Sequence, residues 1–394
     1  MEKRVIIVAL PKTMKEYIFI HGKNASLSQF ELKCLYGDEV IFQSQAFTII
    51  QTSQKMERFH MNRLGGTIKI CEVFEESPVD RVEAAAQTDK VLFAVSQYGV
   101  QGQLSKSLMD IKKGLRDRGR NARFLNKDFS NVSSGQLNQS KILEKGIDLV
   151  KCFYKLPEQQ KGQEVWGQTL YFQDIDSYSL RDYEKPKRDM KVGMLPPKLA
   201  QMMLNFSRPQ KSSVIYDPFC GLGTIPMEAA LQGFTVKGSD INGRMVESTQ
   251  ANMQWLSKTY SIPTPPNDSF FLHDATQPFG NLQLPADMCV VSEGYLGPPH
   301  LRFPSPEEQK KIFDLLHAIN RKFLSEVSRI IKKGQRIVFC IPFFRTAREK
   351  IFYPQNLLDE YAAGELKILS PSRSLLYERE NQVVGREIMV FEKK

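Results

Sequence analysis

Asp217-Pro218-Phe219-Cys220-Gly221-Leu222-Gly223-Thr224 decides the fold. The apolar run Val214-Ile215-Tyr216 precedes it, and Ile225-Pro226-Met227-Glu228-Ala229-Ala230-Leu231 follows it. Strand, glycine turn and helix in that order form the anion-facing corner of a nucleotide-binding α/β unit. The turn lacks the lysine of a P-loop and the full glycine spacing of a dinucleotide fingerprint. Downstream, Val236-Lys237-Gly238-Ser239-Asp240-Ile241-Asn242 places an acid, Asp240, where a second strand ends. Phe271-Leu272-His273-Asp274-Ala275 repeats the pattern for a third strand. Together these features point to S-adenosylmethionine as the cofactor.

The expected contacts follow from the chemistry of that molecule. Gly221 and Gly223 let the backbone approach the methionine end, while helix N-terminal amides face its carboxylate. Asp217 can accept from the ammonium group. Asp240 can take both ribose hydroxyls, and Asp274 can reach the adenine amine. Phe219, Thr224, Ile241 and Ala275 complete the set from the same turns. Plainer readings stay open at this point: a tight strand–helix turn for the glycines, a helix N-cap for Asp240, and a turn or cap for Asp274.

The 394 residues leave room for two or three domains. Of these residues 41% are hydrophobic and 25% charged, which fits a globular protein, and no apolar stretch is long enough to span a bilayer. The run Val5-Ile6-Ile7-Val8-Ala9-Leu10 is short, ends at Pro11-Lys12, and lacks a small-residue cleavage site. It reads as a strand or a disordered start, not a signal peptide, and the expected location is the cytoplasm. The six cysteines are scattered, with no C-x-x-C pair. Buried reduced thiols are expected, with no zinc site and no disulfide framework.

Residues 15–53 alternate strand and helix signals, including a helix over Ser26–Leu35 with Ser28 and Glu31 at capping-box spacing. Further strands are expected at Thr67–Phe74, Leu92–Gly99, Asn121–Leu125, Ile147–Tyr154 and Val165–Gln173. Leu108, Ile111 and Leu115 give a helix its apolar face. The charged stretch 177–190 reads as a linker. From Leu195 the strand–helix alternation is that of a mainly parallel sheet.

The net charge is +10. Most of the excess falls between 106 and 155, where twelve Lys and Arg face five acids. Lys112, Lys113, Arg116, Arg118, Arg120 and Arg123 are the residues expected to track a phosphate backbone. A solvated helix face is the plainer alternative.

With Arg188-Asp189-Met190-Lys191-Val192-Gly193-Met194-Leu195-Pro196-Pro197-Lys198-Leu199-Ala200 before it, the 217–224 turn resembles the THUMP-domain class I RNA methyltransferases. The similarity is greatest to the tRNA guanine-N2 methyltransferases acting at position 10. Leu64–Ile70, Ile175–Tyr183 and Tyr377–Ile388 also read as family segments. The resemblance implies an α/β chain with a ferredoxin-like α+β domain at 1–65, a THUMP-like RNA-binding domain at 66–185, and a Rossmann-like methyltransferase domain at 186–394. It implies Pro196 beside the cofactor, and an RNA partner, tRNA above all. No membrane or metal is expected, and no protein partner is named.

The family carries (D/N)-P-P-(Y/F) after the fourth strand, where the target amine and base are held. Here Met288-Cys289-Val290-Val291 runs into Ser292-Glu293-Gly294-Tyr295. Ser292 stands at the acidic position, Gly294 at the second proline, and Glu293 is the loop's carboxylate. Tyr295 keeps the stacking ring. These four residues are the expected acceptor site. The leading expectation is N2 methylation of a tRNA guanosine. The alternatives are amino-methylation of rRNA or DNA, and a catalytically silent RNA-binding protein that retains the fold.

Overall fold

A computed structural model describes residues 14–394, apart from 87–89, 100–101, 157–159, 189–193, 281, 283, 286, 300–301, 347, 363 and 381. The run 5–10 lies outside the described residues. The chain divides into two compact units: 1–22, 36–62 and 67–174 form the first, and 23–35, 63–66 and 175–394 the second. These bounds fall elsewhere than the expected cuts after 65 and 185.

The first unit is built on one eight-stranded mixed sheet. Its strands are β1 (Lys15–His21), β2 (Val40–Gln43), β3 (Phe47–Thr52), β4 (Thr67–Phe74), β5 (Lys90–Tyr98), β6 (Asn121–Phe124), β7 (Gly146–Tyr154) and β8 (Gln163–Phe172). Their order is β2-β3-β1-β4-β8-β7-β5-β6. Because β1 pairs with both β3 and β4, the sheet runs unbroken across residue 65. The helix Leu104–Asp117 buries Leu104, Leu108, Ile111 and Leu115, the expected face. Deep in the sheet, Lys69 donates to Asp148 at 2.8 Å and both side chains are fully buried. Asp148 therefore offsets an interior lysine, not the surface charge.

The second unit has the doubly wound sheet. Its strands are β9 (Val214–Asp217), β10 (Thr235–Asp240), β11 (Phe270–Leu272), β12 (Met288–Ser292), β13 (Arg336–Arg345), β14 (Lys350–Ile351), β15 (Leu366–Ile368), β16 (Leu376–Tyr377) and β17 (Val384–Lys393). The order β11-β10-β9-β12-β13-β17-β15 is parallel through β13, with β17 antiparallel to β13 and to β15. Successive residues of the central strands enter opposite cores. Ile215, Cys289, Val291 and Val338 pack on one face, while Tyr216, Met288, Val290 and Phe339 pack on the other. Burial on both faces is what a parallel sheet covered by crossover helices requires.

The strand order reverses between β9 and β12, which leaves a crevice beyond their carboxyl ends. The residues at those ends are Asp217 and Ser292. Fold class and glycine turn thus agree with the sequence reading.

Two local readings are corrected. The helix spans Ala25–Tyr36, so Ser28 and Glu31 sit inside it rather than capping it. Glu31 is wholly buried and accepts from the Gly65 and Gly66 amides at 2.9 Å each and from Asn205 at 2.7 Å. Stretch 177–190 is no simple linker either. Ile175–Tyr183 is a helix of the second unit, with Arg181 buried against Glu228 at 2.6 Å. Its charge is paired, not solvated.

Candidate cofactor and acceptor site

The glycine turn has the backbone its sequence demands. Gly221 and Gly223 both have positive φ, +50° and +81°. A Cβ on Gly223 would also lie 2.8 Å from the Thr249 methyl carbon. The turn turns the Gly221 amide toward Asp240, whose Oδ2 accepts it at 3.0 Å. Asp240 Oδ1 accepts from the Asn242 amide at 2.9 Å. The helix cap that follows belongs to Asn242, which accepts from the Arg244 amide at 3.0 Å. The helix Gly243–Tyr260 braces the turn from behind: Thr249 donates to the Gly221 carbonyl and Asn252 to the Leu222 carbonyl, both at 2.8 Å.

A cleft opens over this turn. Its walls are Met194, Leu195, Asp217, Phe219, Cys220, Gly221, Leu222, Thr224, Ile225, Met245 and Glu293. Five expected site residues line it: Asp217, Phe219, Gly221, Thr224 and Glu293. The rest of the expected set does not. Pro196 caps the helix Pro197–Phe206. Gly223 is the N-cap of the helix Thr224–Leu231, and Ala275 is buried. Asp274 Oδ1 accepts from the Thr276 amide and hydroxyl at 2.9 and 2.8 Å, so its geometry is that of a local turn.

Asp217 is the electrostatic centre. It is buried, with Oδ1 accepting from the Ser292 hydroxyl at 2.7 Å and the Phe219 amide at 3.1 Å. Burial pushes its carboxyl up to about 7, and the Asp240 and Glu293 carboxylates add to that. A buried acid poised this way favours a cationic neighbour.

Beside Asp240 two large apolar side chains stand in solvent, Ile241 at 69% and Leu272 at 65% exposure. Asp240 and Leu272 are register partners in adjacent strands. An apolar pair at a strand-end crevice is a surface that a flat ring would cover.

The acceptor loop follows a course of its own. Ser292 is fully buried, and its oxygen both donates to Asp217 and accepts from the Gly294 amide at 3.1 Å. It fixes the loop from inside instead of facing an acceptor. Gly294 has φ +71°, which a proline ring cannot adopt. Glu293 is the loop side chain that lines the cleft, and its Oε1 accepts from the buried Arg386 Nε at 2.5 Å. Tyr295 is 39% exposed.

Met194, Leu195, Cys220, Leu222, Ile225 and Met245 were not in the expected set. All but Met245 fall within or beside motifs already singled out. Met245 had only its place five residues after Asp240 to suggest it.

In the first unit, Lys112, Lys113, Arg116 and Arg123 are exposed. Arg118 instead bridges Asp80 and Glu83 at 2.7 Å each, and Arg120 reaches Glu83 at 3.5 Å. The acids come from the helix Pro78–Ala84, upstream of the stretch whose charges were counted.

Residues 185–278 match the UPF0020 family, described as RMKL-like, methyltransferase domain. The chain is 50% identical over 62 residues to the tRNA (guanine(10)-N2)-dimethyltransferase of Methanothermobacter thermautotrophicus, covering 16% of this chain and 18% of that one. It is 38% identical over 84 residues to the same-named protein of Methanocaldococcus jannaschii, 21% of this chain and 22% of that one. The matches thus span about a fifth of these relatives' length. Among solved structures, TrmN from Thermus thermophilus aligns over 97% of this chain and 100% of its own, with a TM-score of 0.48 and 15% identity.

Proposed function

We propose that this chain, which carries a methyltransferase domain in its second unit, uses S-adenosylmethionine to methylate the exocyclic N2 of a guanosine in tRNA. One observation carries the reading. A buried acid, Asp217, and a fixed carboxylate, Glu293, line the same cleft over a positive-φ glycine turn at the point where strand order reverses.

The residues fit the cofactor. When bound, S-adenosylmethionine supplies a methyl group activated on a sulfonium. Asp217 accepts from the ammonium, and the Thr224 and Ile225 amides face the carboxylate. Asp240 holds the ribose, with Ile241 and Leu272 against the adenine. On the acceptor side, a guanine N2 has a delocalised lone pair and needs orientation and a path for its proton. Glu293, fixed by Arg386, accepts from that amine. Tyr295 stacks on the base. Ser292 acts at one remove, by tying the loop to Asp217.

Asp217 sets a pH dependence of cofactor binding. Only the ionised acid pairs in charge with an ammonium, so S-adenosylhomocysteine affinity should rise with pH and level off above about 7. Below that it should fall by up to about tenfold per pH unit. Protein stability has the opposite sign. A carboxyl raised in the folded state stabilises below its unfolded value, and that contribution is lost as pH rises through the folded value. Melting of the cofactor-free protein should therefore decline from pH 5 to 8. Asp217→Asn should flatten the affinity profile and remove one contribution from the melting curve, where Glu31, also pushed up to about 7 by burial, still contributes. A pH-independent affinity in the parent protein would contradict the role of Asp217.

The first unit supplies RNA affinity in this reading. Charge reversal at Lys113 and Arg116 should weaken tRNA binding and lower the slope of log K against log salt by about 2. Reversal at Arg118 should act less, because that side chain is held by Asp80 and Glu83. Filter binding across a salt series reads both, and equal slopes for all variants would remove the phosphate-tracking face.

The activity is tested in cells by mass spectrometry of tRNA nucleosides from a strain lacking the gene. N2-methylguanosine should fall. An unchanged level would contradict the proposal, and a fall in a methyladenosine would favour the amino-methylation alternative.

A further inference from the structure

Lys185 holds a position that packing does not explain. It is 2% exposed, yet among the described residues no carboxylate stands within ion-pair distance of its Nζ. The second unit's other buried cations are each matched: Arg181 by Glu228, Arg386 by Glu293. The carboxylates of Asp182, Glu228 and Glu293 act on Lys185 only at longer range. Glu228 is already held by both Arg181 and Gln201. Burial accordingly pushes the Lys185 ammonium down from its ordinary range. A buried charge without a counter-ion is costly.

The Lys185 ammonium donates to Thr224 Oγ1 at 3.2 Å, and Thr224 lines the cleft. An ammonium has no acceptor. The Thr224 oxygen must therefore accept on that side, and its own proton is turned away from Lys185. Thr224 is also the first residue of the helix Thr224–Leu231. Its third residue is Pro226, which has no N–H. The first turn thus leaves only the Thr224 and Ile225 amides, since the Met227 amide already bonds to the Gly223 carbonyl at 2.9 Å. One donor is missing at this helix end, and a buried cation stands behind it.

We infer that Lys185 is the counter-ion for the cofactor's α-carboxylate, acting through Thr224, whose hydroxyl it orients into the cleft. Lys185 is a positioning residue, and Thr224 makes the contact. With Asp217 on the same cleft wall, carboxylate and ammonium of the amino-acid end are then read separately. The inference rests on the cleft being the S-adenosylmethionine site.

The test compares two ligands on the full chain by calorimetry. They are S-adenosylhomocysteine and its decarboxylated analogue, which keeps the ammonium and lacks only the carboxylate. The parent protein should prefer S-adenosylhomocysteine. Lys185→Met should lose about tenfold or more of that preference, the size of a charge-assisted bond, while binding the analogue as before. Lys185→Arg should restore part of it. The melting temperature of cofactor-free Lys185→Met should hold or rise, since an unmatched buried charge is gone. Thr224→Val should show the same loss of preference with Lys185 in place, and it carries the test if Lys185→Met fails to fold. An unchanged preference in either variant would overturn the inference. Failure of the parent protein to bind either ligand would overturn the cofactor reading itself.

Discussion

Asp240→Asn should lower the affinity for S-adenosylhomocysteine by about 10²- to 10⁴-fold. The Asp240 carboxylate already accepts one backbone amide on each oxygen, from Gly221 and Asn242. Each oxygen keeps a further lone pair for a ribose hydroxyl. Hydrogen bonds to a charged group contribute about 1.5–3 kcal/mol each, and two of them give the range stated at about 1.4 kcal/mol per tenfold. Asparagine is a poor substitute here. Its NH₂ must face either the Gly221 or the Asn242 amide, so donor meets donor and the glycine turn shifts. RNA affinity should be unchanged, because the substitution leaves the first unit's basic side chains as they are. Calorimetry with the nucleoside and filter binding with tRNA read the two quantities separately. Undiminished S-adenosylhomocysteine binding would show that Asp240 does not hold the cofactor.

Glu293→Gln should do the reverse: methyl transfer falls by about 10²-fold or more, the usual scale for losing a positioned proton acceptor. S-adenosylhomocysteine affinity should stay near that of the parent protein. Glutamine keeps the length and one acceptor oxygen but cannot take up a proton or pair in charge with Arg386. Arg386→Met should give a smaller loss, since the carboxylate remains but is no longer fixed by its 2.5 Å bond. Single-turnover kinetics at saturating cofactor isolates the chemical step. Full activity in Glu293→Gln would assign the acceptor role to backbone carbonyls of the loop. A loss confined to cofactor affinity would move Glu293 to the other half of the site.

What was legible in the sequence was local. The glycine turn, the acid closing the second strand and the alternation of both-face-buried strands are each written within a few consecutive residues. They specified the doubly wound sheet and, with Glu293, five of the eleven cleft-lining residues. What was not legible depends on residues far apart. Glu31 has capping-box spacing, but its carboxylate bonds to Gly65, Gly66 and Asn205. Arg181 and Lys185 looked like solvated linker charges, because their partners Glu228 and Thr224 come about forty residues later. The charge of the basic stretch was misjudged for the same reason, in both directions. Glu83 and Asp80 take up Arg118, and Lys69 takes Asp148 into the interior. Pairing of β1 with β4 carries one sheet across residue 65, where the family resemblance implied a boundary. The acceptor loop is intermediate. Its departure from the family motif was plain, but only the positive φ of Gly294 and the burial of Ser292 show that the loop is differently shaped.

The most direct measurement incubates the purified full chain with isotopically labelled S-adenosylmethionine and tRNA, digests the RNA, and identifies the labelled nucleoside by mass spectrometry. The expected result is label in N2-methylguanosine, abolished by Asp240→Asn and strongly reduced by Glu293→Gln. Label in another nucleoside, or S-adenosylhomocysteine binding without any transfer to RNA, would contradict it.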